Sequence, residues 1–83
     1  MTGSKEVTKS DLKSLRFLAE NCRELTAQEC RETIKWMYLD ETKEIAEAII
    51  RISRKRKLGG IPPRIRQAAA QAMKDAGTYN EGR

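Results

Sequence analysis

The chain has 83 residues, of which 39% are hydrophobic and 35% are charged, and its formal net charge is +5. This length allows one domain at most, with a small core and marginal stability. Aromatic residues are scarce and runs of β-branched residues are few, which argues against strands. The composition therefore predicts an all-α fold, a small bundle of three to four short helices that homodimerisation would complete.

Cysteine and histidine content predicts the redox state and the absence of a metal site. Cys22 and Cys30 are the two cysteines, and the chain has no histidine. Both cysteines fall on apolar faces of predicted helices, so we expect reduced core residues rather than a disulfide. Two cysteines without histidine do not make an ordinary zinc site, and we expect no metal and no cofactor.

The chain lacks the hydrophobic stretches that targeting or membrane insertion requires. No run reaches the length that spans a membrane, and the polar start, residues 1–8, does not resemble a signal peptide. We therefore expect a cytoplasmic protein with no membrane partner.

The first predicted helix follows a lead-in, residues 1–8, that we expect to be disordered. Thr8 and Asp11 match the capping-box pattern of a helix start. Apolar residues then recur at three- and four-residue spacing as far as Arg23, and this stripe consists of Leu12, Leu15, Leu18, Ala19 and Cys22.

The second predicted helix has the clearest start in the sequence. Thr26 and Glu29 form another capping box, and Leu25 is placed to pack against Cys30 one turn inside. Its apolar stripe consists of Cys30, Ile34 and Met37.

A third helix is predicted after a tight turn at Leu39, with Asp40 as its N-cap. Its apolar face consists of Ile45, Ala48, Ile49 and Ile52. The glycine pair Gly59-Gly60 is the expected stop signal. Residues 9–58 are thus predicted to form a three-helix core.

The remaining chain reads as a connector over 59–63, a C-terminal helix over 64–77 and a disordered tail over 78–83. Pro63 is allowed as the first residue of that last helix, and Gly77 is placed to close it. The side of this helix that would face a core is rich in alanine. Because alanine buries little area per residue, we expect this helix to be loosely attached.

The distribution of charge is the main functional signal. Residues 1–50 carry eight basic and ten acidic side chains, whereas residues 51–83 carry nine basic and two acidic ones. Such a cationic segment attracts polyanions, and arginine forks onto phosphate. We therefore predict a small binding protein, with a regulatory role, that contacts DNA or RNA largely through phosphates. The predicted contact residues are Arg51, Arg54, Lys55, Arg56, Lys57, Arg64 and Arg66.

A standard helix-turn-helix is not expected, although the second and third helices are closely joined. Recognition helices meet base edges with their N-terminal residues. Here that end carries Asp40, Glu41 and Glu44, which would face phosphates with like charge. Sequence specificity is therefore predicted to be low.

The alternative is a protein that docks on another protein as an inhibitor, anti-activator or adaptor of the kind that phages and mobile elements carry. Trp36, Met37 and Tyr38 are successive large apolar residues that cannot all face one core, so they are the predicted protein interface.

Neither hypothesis is an enzyme. There is no histidine, no base is predicted beside either cysteine, and Gly59-Gly60 lacks the lysine and the preceding strand of a phosphate-binding loop. We expect no catalytic residue and no small-molecule substrate.

Overall fold

A computed structural model describes residues 9–78, and within this range it contains four α-helices and no strand. The helices are α1 (Lys9–Asn21), α2 (Ala27–Lys35), α3 (Asp40–Ser53) and α4 (Pro63–Asp75). The all-α fold class is thereby confirmed. The predicted lead-in over 1–8, with Thr8 of its capping box, and residues 79–83 of the predicted tail lie outside the described residues. Thr78, which was predicted to begin a disordered tail, is instead ordered, since its hydroxyl donates to Ala19 O at 2.8 Å.

Helices α1 and α3 form the centre of the bundle, with α4 packed on one side of them and α2 on the other. The α4 side holds the larger buried cluster, which consists of Ala19, Cys22, Ala48, Ile49, Ile65, Ala69 and Met73. The α2 side holds a smaller one, which consists of Leu18, Cys30, Met37 and Ala46. Helix α2 is therefore held by fewer buried side chains than α4.

The expected loose attachment of α4 is wrong. Ile65 and Met73 are buried, and Ala69 lies in the same cluster as Ala48 of α3. Small side chains on both helices permit close approach, which lets the two larger residues of α4 reach the core. Helix α4 begins at Pro63, which the sequence allowed as a first helical residue, and ends at Asp75, so it starts one residue earlier and ends two residues earlier than the predicted range 64–77.

In α1, the buried stripe differs from the predicted one at its start. Leu12 is exposed, whereas Asp11 is completely buried on the face that also carries Leu18 and Cys22. Both carboxylate oxygens of Asp11 accept a backbone N–H at 2.8 Å, one from Tyr38 and one from Leu39. The first turn of α1 thus lies against the segment after α2, so α2 runs back alongside α1.

The cap predicted for α3 is not formed. Asp40 is the first helical residue rather than the N-cap, and the N-cap Leu39 makes no side-chain capping bond. Asp11 instead fixes the segment just before α3, because it accepts from the N–H groups of Tyr38 and Leu39, which precede the first helical residue. A buried carboxylate needs such donors, because burial without hydrogen bonds costs several kcal/mol, about 2–7 for a neutral polar group and more for a charge.

The start of α2 agrees with its prediction. Thr26 N–H donates to Glu29 Oε1 at 2.8 Å, and Glu29 N–H donates to Thr26 Oγ1 at 3.1 Å. Leu25 packs against the cluster that contains Cys30. Both cysteines are buried and free, as expected.

The end of α3 corrects the predicted boundary. The helix stops at Ser53, well before Gly59-Gly60, and Lys55 takes the left-handed conformation with φ of 54°. Arg56 N–H donates to Arg51 O at 3.0 Å and Lys55 N–H donates to Ile52 O at 3.2 Å. This pair of bonds is the Schellman motif, in which glycine is the usual left-handed residue.

Gly77 closes α4 as predicted, with φ of 76°. None of the helices in the described range is long and apolar enough to cross a membrane.

Candidate functional site

The basic run Arg54–Lys57 lies in the turn that follows α3 rather than on a helix. Lys55, Arg56 and Lys57 are exposed, and Arg51 one turn earlier is half-buried. Because α3 ends at Ser53, the side chains of Lys55, Arg56 and Lys57 do not lie on one helical face. The local cause is the Schellman motif, which reverses the chain at Lys55.

Arg54 differs from its neighbours because it holds the fold together. Its Nη2 donates to Leu25 O at 2.6 Å and lies 3.8 Å from the sulfur of Cys30. Its Nε is buried and meets no hydrogen-bond acceptor within residues 9–78. Arg54 therefore fastens the end of α3 to the loop before α2, and its guanidinium is already engaged.

An open groove of about 310 Å³ separates α2 from α3 beside this arginine. Its floor is apolar and its rim carries four arginines and one glutamate. The lining residues are Ala27, Cys30, Arg31, Ile34, Glu47, Ile50, Arg51, Arg54 and Arg56. We call this feature the cationic groove.

Arg31 is the contributor that the sequence did not reveal. It lies on α2, twenty residues before Arg51, in a segment whose charges are balanced overall. Packing of α2 on α3 brings it to the same groove as Arg51 and Arg56. The clue in the sequence is that Arg31 follows the buried Cys30, which places it at the border of the apolar stripe.

Arg64 lies away from this groove. Its Nη1 donates to Glu41 Oε2 at 2.7 Å, in the first turn of α3. Glu41 and Arg51 are ten residues apart on α3, which corresponds to roughly 15 Å along the helix axis. Arg66 is exposed on α4, two positions after Arg64. The predicted cationic surface is therefore divided into two parts.

We call the basic residues that border the groove or lie in the adjoining turn the cationic end. Arg54 is left out because it is bonded to the fold. The members are Arg31, Arg51, Lys55, Arg56 and Lys57. Arg51 Nη1 makes only a long bond, 3.4 Å, to Gly59 O. Glu47 is the acidic residue among those that line the groove. The cationic end thus combines a strong positive charge with free guanidinium donors.

The predicted protein interface also divides. Trp36 and Tyr38 are 71% and 72% exposed, whereas Met37 is 3% exposed and belongs to the core. Trp36 is the C-cap of α2, with φ of −87° and ψ of 0°, and Met37 and Tyr38 follow it before α3 begins, so the three side chains do not share one helical face. Met37 is therefore not part of the exposed surface.

Trp36 and Tyr38 follow α2 and do not line the cationic groove, which extends along α2 from Ala27 to Ile34. Arg54 contacts Leu25 just before α2 begins, and Trp36 is the C-cap of the same helix. The nine residues of α2 span about 13 Å. The two predicted surfaces are separate features of the molecule.

Within the described range there is no group of three or more Cys, Asp or Glu side chains that could hold a metal ion. Glu41 is paired with Arg64, and Glu44 and Glu47 are exposed.

Comparisons of the chain with protein-family models, with curated proteins and with solved structures give no match. The functional inference therefore rests on the geometry of the chain's own residues.

Proposed function

We propose that this protein binds nucleic acid through its cationic end, that most of its contacts are to phosphates, and that it catalyses no reaction. One observation carries the proposal: Arg31 from α2 converges with Arg51 and Arg56 on a single groove, next to the exposed Lys55 and Lys57. Cations concentrated on a concave surface raise the local potential and attract polyanions. Arginine donors also match the geometry of phosphate oxygens.

A cytoplasmic setting is part of this proposal. Cys22 and Cys30 are free and buried, which fits a reducing compartment. Phosphate contacts position a nucleic acid without reading its bases, so low sequence specificity is expected.

The test is binding of labelled oligonucleotides to the purified protein over a series of salt concentrations. If about four phosphates are neutralised, log K should fall with log salt with a slope of about −3 for a single strand. The double variant Arg56→Glu/Lys57→Glu should weaken binding at least about ten-fold at low salt, because both exposed cations become repulsive.

A matched control separates local contacts from net charge. Lys13→Glu/Arg16→Glu makes the same change in net charge on the exposed face of α1. With both double variants compared at 0.1 M salt, its affinity should stay within about two-fold of the wild type, since charges more than a Debye length away, about 10 Å at this concentration, are largely screened. Equal losses in the two double variants would contradict a site at the cationic end, and no binding at low salt would reject the proposal.

A second candidate function is docking on a protein through Trp36 and Tyr38, with self-association of two copies as its homodimeric form. The favouring observation is that two large aromatic side chains are more than two-thirds exposed on a segment whose backbone is fixed by Asp11. Exposed tryptophan and tyrosine on a rigid segment are typical of interface anchors.

Trp36 is the single tryptophan of the chain, so its fluorescence reports on this surface. A partner that covers Trp36 should shift its emission to the blue and protect it from acrylamide. Trp36→Ala distinguishes the two candidates: it should abolish binding of such a partner and leave oligonucleotide affinity unchanged, because Trp36 does not line the cationic groove. Sedimentation of wild type and Trp36→Ala then tests self-association: a dimer that persists in the variant would contradict this surface.

A further inference from the structure

The floor of the cationic groove is apolar although its rim is charged. Ala27, Cys30 and Ile34 of α2 and Ile50 of α3 form it. Ile34 and Ile50 are half-buried, so part of their surface faces the groove. Helix α2 has nine residues and buries only Cys30 completely, which leaves this space unfilled beside α3.

An apolar floor contributes little to a purely phosphate contact. A duplex presents its phosphates on a convex surface and keeps its bases stacked inside, so only the arginine rim would meet it. A single strand instead offers unpaired bases, which can leave the stack and bury their faces on a protein. The guanidinium planes of arginine also stack on bases.

The shape of the groove suits this second kind of ligand. Its volume of about 310 Å³ lies at the lower end of the range of small-ligand pockets, roughly 300–1,000 Å³. Arg31 and Arg51 border it from α2 and α3, and Arg56 adds a further donor from the turn. A group that enters the groove thus meets aliphatic side chains below and guanidinium groups beside it.

We propose that the cationic groove holds one unpaired base of a single-stranded nucleic acid, with the flanking phosphates on Arg31, Arg51 and Arg56. This inference rests on the proposed nucleic-acid function and sharpens it to a preference for single strands over duplexes. Trp36 and Tyr38 are not part of this site, because neither lines the groove.

The experiment compares three probes by fluorescence anisotropy at one salt concentration: a single-stranded oligonucleotide, its abasic analogue with the same number of phosphates, and the matching duplex. The single strand should bind about five- to ten-fold more tightly than the abasic strand, which is what burial of roughly 50 Å² of apolar surface contributes. It should also bind more tightly than the duplex.

A variant locates the base. Ala27→Leu introduces a larger aliphatic side chain from the exposed first turn of α2 at the groove and changes no charge. It should reduce the difference between the normal and abasic strands while leaving the abasic affinity unchanged. Gln67→Leu, on an exposed position of α4 that does not line the groove, is the matched control and should retain the difference.

Three results would overturn the inference. Equal affinities of the wild type for normal and abasic strands would leave phosphate binding intact but exclude a base in the groove. Tighter binding of the duplex than of the single strand would also exclude an unpaired base in the groove. Tighter binding of a polyglutamate peptide of equal charge would assign the groove to an acidic protein partner. Failure of every oligonucleotide to bind would instead reject the proposed function itself.

Discussion

The C-terminal ends of α3 and α4 close with the same hydrogen-bond pattern but place different residues in the left-handed position. After α4, Gly77 has φ of 76°, and Thr78 N–H donates to Met73 O at 2.9 Å. After α3, Lys55 has φ of 54°, and Arg56 N–H donates to Arg51 O at 3.0 Å. The end of α4 thus has glycine, which adopts the left-handed conformation without strain, whereas the end of α3 has lysine in the same position.

An arginine side chain also joins each of these two ends to the loop between α1 and α2. Arg54 Nη2 donates to Leu25 O at 2.6 Å, and Arg23 Nη2 donates to Thr78 O at 2.9 Å. The Thr78 hydroxyl adds a bond to Ala19 O at 2.8 Å. The two anchors differ in environment, since Arg54 is partly buried and Arg23 is exposed.

The residue in the left-handed position, glycine after α4 and lysine after α3, affects stability and charge differently. A left-handed conformation costs an L-residue roughly 1–2 kcal/mol relative to its usual regions. Gly77 at the end of α4 avoids this cost. Lys55 at the end of α3 does not, and it places a positive charge beside the cationic groove. The strain at Lys55 is therefore consistent with a binding role for that turn.

The largest expected effect comes from removing the anchor of the α3 end. Arg54→Ala should lower the free energy of unfolding by about 2–3 kcal/mol, because a charged hydrogen bond and the packing of a partly buried side chain are lost. Urea denaturation measures this. Arg56→Ala, at an exposed position, should change stability by less than about 0.5 kcal/mol. Equal midpoints for the two variants would show that Arg54 does not fasten α3.

A second change removes the glycine from the α4 end. Gly77→Ala should cost about 1–2 kcal/mol, since alanine must then adopt the left-handed conformation. Gly59→Ala is the control, because Gly59 has no positive φ and a Cβ there would meet no atom within 4 Å. Thermal unfolding should show a lower Tm for the first variant alone, and an equal fall in both would contradict the turn geometry.

The reciprocal change places glycine at position 55, the left-handed position after α3. Lys55→Gly should raise the free energy of unfolding by up to about 1 kcal/mol while it weakens oligonucleotide binding. The salt slope should become shallower by about 0.7 for a single strand, which corresponds to one lost phosphate contact.

Lys55→Asn is the matched control for this exchange, because asparagine also tolerates the left-handed conformation and carries no charge. It should lose binding as the glycine variant does. A more stable Lys55→Gly protein that keeps its full affinity and salt slope would show that the lysine serves no binding role.

The smallest effect is expected from the exposed anchor of the α4 end. Arg23→Ala should cost no more than about 1 kcal/mol, because an exposed hydrogen bond competes with water. Hydrogen exchange should be faster in the last turn of α4 and unchanged at the end of α3. Faster exchange at both ends would mean that the two anchors are not independent.

Local patterns determined much of the secondary structure. The capping box of Thr26 and Glu29 and the closing Gly77 agree with their predictions because each depends on residues within one helical turn. The end of α3 was not predictable in the same way. Glycine is the usual stop residue, yet the helix ends where Arg54 meets Leu25, a contact between positions 29 residues apart.

Asp11 illustrates the same limit at the other end of the chain. Its spacing from Thr8 indicated a capping box, but its side chain accepts backbone donors 27 and 28 residues further on. A carboxylate in an apolar stripe is ordinarily read as a polar residue at its border. Only the position of the segment after α2 reveals the acceptor role.

The sequence by itself determined the all-α class, the starts of its clearest helices and the excess of positive charge in residues 51–83, since these depend on composition and on neighbours in the chain. The tertiary structure decided which cations lie together. It brings Arg31 to Arg51 and Arg56, pairs Arg64 with Glu41, and leaves Trp36 and Tyr38 exposed while it buries Met37. The physical reason is that side chains from different helices meet only where helix packing places them, and that packing depends on buried contacts distributed over the whole chain.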